Sequence, residues 1–259
     1  MDLDLKNKYA LITGGSHGIG RSIALALAEE GCNVAICAIN EEEVQEVVKE
    51  IKLKGVQAIG IVADVMIRAD IDRVIKTVIN SWGTIGILVN NVGGGGRWGS
   101  SIVEETKEDV WLDVYNKNAL AAVRFTMRVI PFMKKQKWGR VVTISSICGR
   151  EGGGRPWFNM AKAAEISLMK TLAMNPDLAR DGITFNSVAP GPIMIPDTGW
   201  EKEQKENPEA FKKIVEKIPL GRLGAPGEVA SLVAFLCSAK ASLINGACVA
   251  IDGGESKSF

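Results

Sequence analysis

The chain has 259 residues, 46% hydrophobic and 24% charged; that is the ordinary mix of a folded domain, and it excludes disordered and fibrous classes. A chain of this length buries roughly three quarters of its unfolded surface, so it needs no disulfide or metal to hold it together. Lys and Arg total 31 against 30 acids, a net charge of +1, which gives no general pull on nucleic acid or on an anionic membrane. The expected partner is a small molecule. Cysteines stand at 32, 37, 148, 237 and 248 with no CxxC spacing, and His17 is the only histidine. Zinc needs grouped Cys and His ligands, so no metal site is expected and the thiols read as reduced and mostly buried. The N-terminal MDLDLKNKYALITGG has mixed charge and too short an apolar run for a signal peptide. No apolar stretch is long enough to span a bilayer. The expectation is a soluble cytoplasmic protein.

In chain order, Tyr9 to Thr13 is an apolar run ending in glycines. Arg21 to Glu30 follows with helical spacing, Ile23, Ala24, Leu27 and Ala28 sharing a face. Asn33 to Ala38 is the second strand. Glu41 to Lys54 is a helix with acids early and lysines late, matching its dipole. Gln57 to Ala63 is the third strand, Asp70 to Trp82 a helix, Ile85 to Asn90 a strand and Glu108 to Lys135 one long helix. Arg140 to Ser145 reads as strand, Phe158 to Ala179 as helix, Thr184 to Val188 as strand, Pro226 to Ser238 as helix and Ala247 to Ile251 as the last strand. The strands are continuously apolar rather than alternating, so both faces are covered and the sheet is parallel. No linker divides the chain. One α/β domain over 1–259 is predicted, a doubly wound parallel sheet of about seven strands with helices on both faces. In such sheets ligands bind beyond the carboxyl ends of the strands.

Thr13-Gly-Gly-Ser-His-Gly-Ile-Gly20 joins the first strand to the first helix. Glycines there let the backbone turn tightly and approach a pyrophosphate, with the helix N–H groups facing it. Together with Asn90-Asn-Val-Gly93, Asn118, Ser145-Ser-Ile-Cys-Gly149, Lys162, Pro190-Gly191 and Asp252-Gly-Gly254, this order and spacing resembles the short-chain dehydrogenase/reductase family from about Leu5 to Gly254. The resemblance implies a Rossmann-type fold, an NAD(P)-dependent oxidoreductase activity, and a homo-oligomer, often a tetramer, built on the helices of Asn118 and Lys162. Trp111, Phe125 and Met169 are its expected interface residues.

The resemblance also implies the site. Gly14, Ser16, His17, Gly18, Ile19 and Gly20 would hold the cofactor's phosphates, and Asp64 with Val65 its adenine. Asn90, Asn91 and Gly93 would shape the crevice. Lys162, Pro190, Gly191 and Ile193 would meet the nicotinamide half. NAD-preferring relatives carry an aspartate where this chain has Ala38, and many NADP-preferring ones an arginine where it has Ile39. Both cues are absent. Loss of the repelling carboxylate, with His17 and Arg21 nearby, tilts the reading between NADP and NAD toward NADP.

Reducing a carbonyl needs a hydride on carbon and a proton on oxygen. By resemblance Ser146 binds the substrate oxygen, Asn118 holds a relay water, and Lys162 holds the ribose. The family's proton donor is a tyrosine four residues before the lysine, and this chain has Phe158 there. A phenyl ring fills the same volume without an O–H to give. Asn159 points about 100° away on an ideal helix, and Tyr9 and Tyr115 are the only tyrosines. Three explanations stand: an exchange introduced to trap a complex; a natural variant drawing its proton from substrate, from water on Asn118 or from Lys162 itself; or a cofactor-binding protein without redox turnover. A non-redox dehydratase or epimerase on the same scaffold is the further alternative.

A lid is expected over about Pro192 to Leu223, anchored by Trp200, Phe211, Ile214 and Ile218. Ile195 stands where the family has a threonine toward the nicotinamide amide, and Thr198 is its nearest substitute. Arg97, Arg150 and Arg155 lie on glycine-rich loops after strands and could clamp a carboxylate or phosphate, so an anionic substrate is expected.

Overall fold

A strand whose successive residues are all apolar must be sandwiched between helices, and the computed structural model, which describes residues 2–258, is built that way. The strands are β1 (Tyr9–Thr13), β2 (Asn33–Ala38), β3 (Ala58–Val62), β4 (Ile87–Asn90), β5 (Gly139–Ile144), β6 (Ile183–Pro190) and β7 (Cys248–Ile251). They form one sheet in the order β3-β2-β1-β4-β5-β6-β7, with every neighbouring pair parallel. The helices are α1 (Gly18–Glu29), α2 (Glu41–Leu53), α3 (Arg68–Trp82), α4 (Glu108–Tyr115), α5 (Ala121–Gln136), α6 (Pro156–Ala173), α7 (Pro176–Ala179), α8 (Gly199–Glu206), α9 (Pro208–Val215) and α10 (Pro226–Cys237).

Successive side chains of a strand leave opposite faces. Accordingly Ala10 and Ile12 of β1 join one core with Leu27, Val44 and Val233 of α1, α2 and α10. Leu11 joins the other with Val74, Phe125 and Met169 of α3, α5 and α6. The strand order reverses between β1 and β4, which opens the crevice at the carboxyl ends where a doubly wound sheet binds its ligand. No helix among the described residues is long and apolar enough to cross a membrane.

Four readings of the sequence need correction. The first helix starts at Gly18 rather than Arg21, so the glycine loop runs directly into it. The long helix is interrupted by a wide π turn at Asn116–Leu120. There the Asn118 side-chain Nδ2 donates to the Val114 carbonyl (2.7 Å), the acceptor a regular helix reserves for the Asn118 N–H. The helix of Phe158 begins at Pro156, where proline suits a first turn, and stops at Ala173, three residues short of Pro176. Phe125 and Met169 are not interface residues: both are fully buried against the sheet. The exposed apolar side chains of this region are Leu112, Met127 and Met160.

All five thiols are free, with Cys32, Cys37 and Cys237 buried and Cys148 and Cys248 half-buried. Burial pushes Cys32 and Cys37 up to about 12, so neither is a nucleophile at neutral pH.

Candidate functional site

The loop after β1 is shaped by its glycines. Gly14 and Gly18 hold left-handed backbone (φ +63 and +54), a region that costs other residues strain. A Cβ on Gly20 would collide with the Gly14 carbonyl oxygen. The Asn91 side-chain Nδ2 donates to the Thr13 and Gly14 carbonyls (both 3.0 Å), and the Asn91 and Val92 N–H groups donate to Thr13 Oγ1 (3.0 and 3.1 Å). Asn91 thus braces the loop from β4. Ser16 is buried, and its hydroxyl donates to Glu43 at the start of α2 (2.8 Å). His17 is exposed at the entry to α1 with no side-chain cap, and Ile19 is half-buried. Past β3, the Asp64 carboxylate accepts from the Met66 N–H (2.9 Å), and Val65 is buried. Asn90 turns inward to Thr126 and Thr143 and does not line the crevice.

The second cluster lies at the end of β5 and the start of α6. The Ser145 hydroxyl donates to the Lys162 carbonyl (2.8 Å) and ties strand to helix. Ser146 Oγ accepts from the Cys148 N–H (3.2 Å), which leaves the hydroxyl hydrogen of Ser146 for another acceptor. Phe158 is half-buried and covered by the glycine loop after β4: a Cβ on Gly96 would stand 3.3–3.5 Å from three of its ring atoms. Lys162 is only 4% exposed, and its Nζ lies 5.8 Å from the centre of the Phe158 ring. Asn118, fully buried, grips the same loop, with Oδ1 accepting from the Gly94 N–H (3.1 Å) and Nδ2 donating to the Gly94 carbonyl (2.9 Å). Asn118 and Lys162 converge on Gly93, where an added Cβ would lie 2.7 Å from Oδ1 and 2.8 Å from Nζ.

One partner of Lys162 was absent from the sequence reading. Nζ donates to the Ile144 carbonyl (3.0 Å) and to the Glu165 carboxylate (3.0 and 3.3 Å). Glu165 is 1% exposed. Burial pushes its carboxyl up to about 7, against the pull of the Lys162 ammonium. The signal was available: Ala161, Lys162, Glu165, Met169 and Ala173 form the buried stripe of α6, and a charged residue on such a stripe needs a partner.

The substrate side differs more from expectation. Arg155 Nη1 donates to the Trp98, Gly99 and Ser100 carbonyls. Arg150 donates to the Cys248 carbonyl (2.7 Å) and to Ser258 (3.2 Å). Both lash loops together, their guanidinium donors taken up by backbone carbonyls and a serine. Arg97 keeps an exposed guanidinium, 5.0 Å over the Trp200 ring, and donates to the Gly199 carbonyl (3.3 Å). Over 192–223 stand the two helices α8 and α9. Ile218 is buried, while Trp200, Phe211 and Ile214 are half-buried. Gly191 N–H donates to the Ile251 carbonyl (3.1 Å), next to Pro190 at the end of β6. Ile193 is buried in the core, and Ile195 packs on Gly18. The Thr198 hydroxyl donates to the Ile195 carbonyl (2.7 Å). Asn159 donates to the Glu151 carbonyl, and the Tyr115 ring packs with Trp111, Trp157 and Phe158.

Comparison with known proteins agrees with this arrangement. The family model described as enoyl-(acyl carrier protein) reductase matches residues 14–256. The 3-oxoacyl-acyl-carrier-protein reductase FabG of Staphylococcus epidermidis is 39% identical over 250 residues, covering 96% of this chain and 98% of that one. The reductase of the same name from Thermotoga maritima is 36% identical over 251 residues, covering 96% and 98%. Among solved structures, the L-sorbose reductase of Gluconobacter frateurii, complexed with NADPH and L-sorbose, superposes with a TM-score of 0.92 at 31% identity, covering 100% of both chains. The chain therefore belongs to the short-chain dehydrogenase/reductase family of oxidoreductases.

Proposed function

We propose that the protein transfers hydride between a nicotinamide cofactor and a carbonyl or alcohol substrate, with NADP(H) the better cofactor and a 3-oxoacyl-type ketone the substrate class to try first. The single observation that carries this reading is the convergence of Asn118 and Lys162 on Gly93, at the same sheet end as a glycine loop turned by left-handed Gly14 and Gly18. The residues present fit that group: Gly14, Gly18, Gly20 and Gly93 form a cradle that side chains would fill, and the α1 N–H groups face it. NADPH in the sorbose reductase structure and the absence of a carboxylate at Ala38 favour NADP.

In this reading the cradle of Gly14, Ser16, His17, Gly18, Ile19 and Gly20 holds the phosphates, and Asp64 and Val65 the adenine. Pro190, Gly191 and Ile193 back the nicotinamide. When bound, the cofactor supplies hydride to the carbonyl carbon. Ser146 donates its free hydroxyl hydrogen to the substrate oxygen and orients it. Lys162 has three hydrogens; two go to Ile144 and Glu165, and the third is left for the ribose or the developing alkoxide. Asn118 fixes the loop that closes over Phe158. The phenol that family members use as proton donor is missing at Phe158, so protonation of the oxygen is the slow part of the cycle. Helices α8 and α9 form the lid. The oligomer uses the face carrying Trp111, Leu112, Tyr115, Met160 and Ala164, which a second copy of this chain would cover.

The test is calorimetric titration with NADPH and NADH, then turnover of 3-oxoacyl thioesters and simple ketones. NADPH binding and ketone-dependent oxidation of NADPH are expected. No binding of either nucleotide at millimolar concentration would overturn the reading.

A further inference from the structure

A buried carboxylate costs free energy unless something compensates it, and nothing in the cycle above uses Glu165. It sits at i+3 from Lys162 on the core-facing stripe of α6, bound to the one amine in the site. The helix position four residues before Lys162 holds no acid: Phe158 has no hydroxyl, and its neighbour Asn159 is an amide held by the Glu151 carbonyl.

We propose that Glu165 is the proton reserve of the site, passing a proton to Lys162 Nζ as Nζ passes one to the substrate oxygen, so that the pair supplies what a phenol at position 158 would. The inference rests on the hydride-transfer reading. The step starts from a neutral Glu165 carboxyl beside a charged Lys162. A bound nicotinamide would supply the hydride for the new C–H bond, and the carbonyl π pair would move to oxygen. An Nζ–H bond breaks as the O–H of the alcohol forms. The carboxyl O–H bond breaks as Nζ regains its hydrogen. The pair ends as carboxylate and ammonium, the substrate as an alcohol and the cofactor oxidised; water then returns the proton to Glu165.

The carboxyl is placed for this. It holds Nζ through both oxygens (3.0 and 3.3 Å), and Nζ faces Gly93 on its free side. Burial keeps a proton on Glu165 near neutrality, where an acid is most useful. Other charges near α6 do not act on it. Glu108, Asp109 and Asp113 of α4 and Asp177 of α7 are exposed. Lys117 of the π turn lies over the Trp98 ring. Arg140 of β5 is bonded to Gly182 and Ser238, the β6 strand is uncharged, and the turn Ile147–Gly149 carries only the Cys148 thiol. Glu165 acts through Lys162, so it is a positioning residue whose proton matters as well as its grip.

The test combines infrared spectroscopy of the cofactor-free protein with kinetics of Glu165→Gln and Glu165→Asp, each in the Phe158 and the Phe158→Tyr backgrounds. A carboxyl stretch that titrates near neutrality in the parent protein and is missing in Glu165→Gln is expected. Glu165→Gln should lower kcat by roughly ten-fold or more, since general acids contribute about 10²–10⁴-fold, and should erase the alkaline fall of kcat with pH. NADPH affinity should change less than about three-fold, since binding and chemistry are separable losses. Glu165→Asp should retain part of the rate, and it judges the idea should the glutamine variant fail to fold. In the Phe158→Tyr background the loss should shrink, because the phenol then supplies the proton. An equal loss in both backgrounds, a glutamine variant within two-fold of the parent, or no titrating carboxyl overturns the inference. A parent protein that binds nicotinamide but reduces no ketone overturns the functional reading itself, and the two failures are thereby distinguished.

Discussion

Replacing Phe158 by Tyr is the sharpest perturbation of this site. The ring is half-buried under Gly96, so an added hydroxyl extends from the ring edge without pressing on its covered face. By ordinary bond lengths the phenolic oxygen stands roughly 2.8 Å from the ring centre. With Nζ over the ring at 5.8 Å from its centre, that oxygen and the amine come close enough to be linked directly or through one bridging water. The ammonium would then lower the phenol's pKa. General acid–base assistance is worth about 10²–10⁴-fold, or about 3–5 kcal/mol of barrier at 1.36 kcal/mol per tenfold. Phe158→Tyr should therefore raise kcat/KM by that range, with the gain mostly in kcat. The assay is NADPH consumption across a panel of 3-oxoacyl thioesters, cyclic ketones and keto sugars, and the reverse reaction with the matching alcohols. Calorimetry alongside checks that cofactor affinity is unchanged. No gain on any substrate, with cofactor binding intact, would refute the claim that the missing hydroxyl limits the reaction.

The remaining predictions concern stability, the loop and the cofactor. The folded chain holds the Glu165 proton up to about 7 against an ordinary 4.5, so this group favours folding below pH 4.5 and its contribution is lost as pH rises through 7; the difference is of order 3 kcal/mol, and urea titrations should show Glu165→Gln lacking that part of the slope. Lys162→Met strands a buried carboxyl and should cost about 3–5 kcal/mol above neutrality, but less at about pH 5, where the carboxyl is neutral; an equal cost at both would refute the ion-pair account. Gly93→Ala forces a Cβ to within 2.7 Å of Asn118 Oδ1 and 2.8 Å of Lys162 Nζ, so turnover and NADPH binding should both fall while circular dichroism stays that of the parent. Glu43 holds the Ser16 hydroxyl of the glycine loop, so Glu43→Gln removes a charge near the ribose end and should tighten NADPH by about 1 kcal/mol, roughly five-fold, while leaving NADH nearly unchanged; equal effects on both nucleotides would refute that placement.

Much of this molecule could be read from its residues because its strands are buried on both faces. Ile12, Ile36 and Leu88 leave no ambiguity about a parallel sheet, and glycines at 14, 18 and 20 mark a turn that only they can make. The π turn had no such mark. It arises because the Asn118 side chain takes Val114 for one partner and Gly94 for another, a choice made by a loop distant in sequence. The arginines failed for a related reason: a guanidinium on a glycine-rich loop looks the same whether it awaits a substrate carboxylate or is already held by carbonyls. Phe125 and Met169 failed because α5 and α6 carry apolar residues on more than one side, and periodicity alone does not say which side meets the sheet.

Glu165 is the opposite case, a residue whose position was legible and whose meaning was not. A lysine on a core-facing stripe is intelligible once a cofactor ribose is expected there. A glutamate three residues on is then intelligible only through the lysine. Desolvating both ions seldom returns its cost through their attraction alone, and an apolar pair of the same volume would suit the core of α6 at least as well. The burial that makes the pair poor at holding the fold is what keeps a proton on Glu165 near neutral pH. That same proton lies one amine away from the place where Phe158 has none to give.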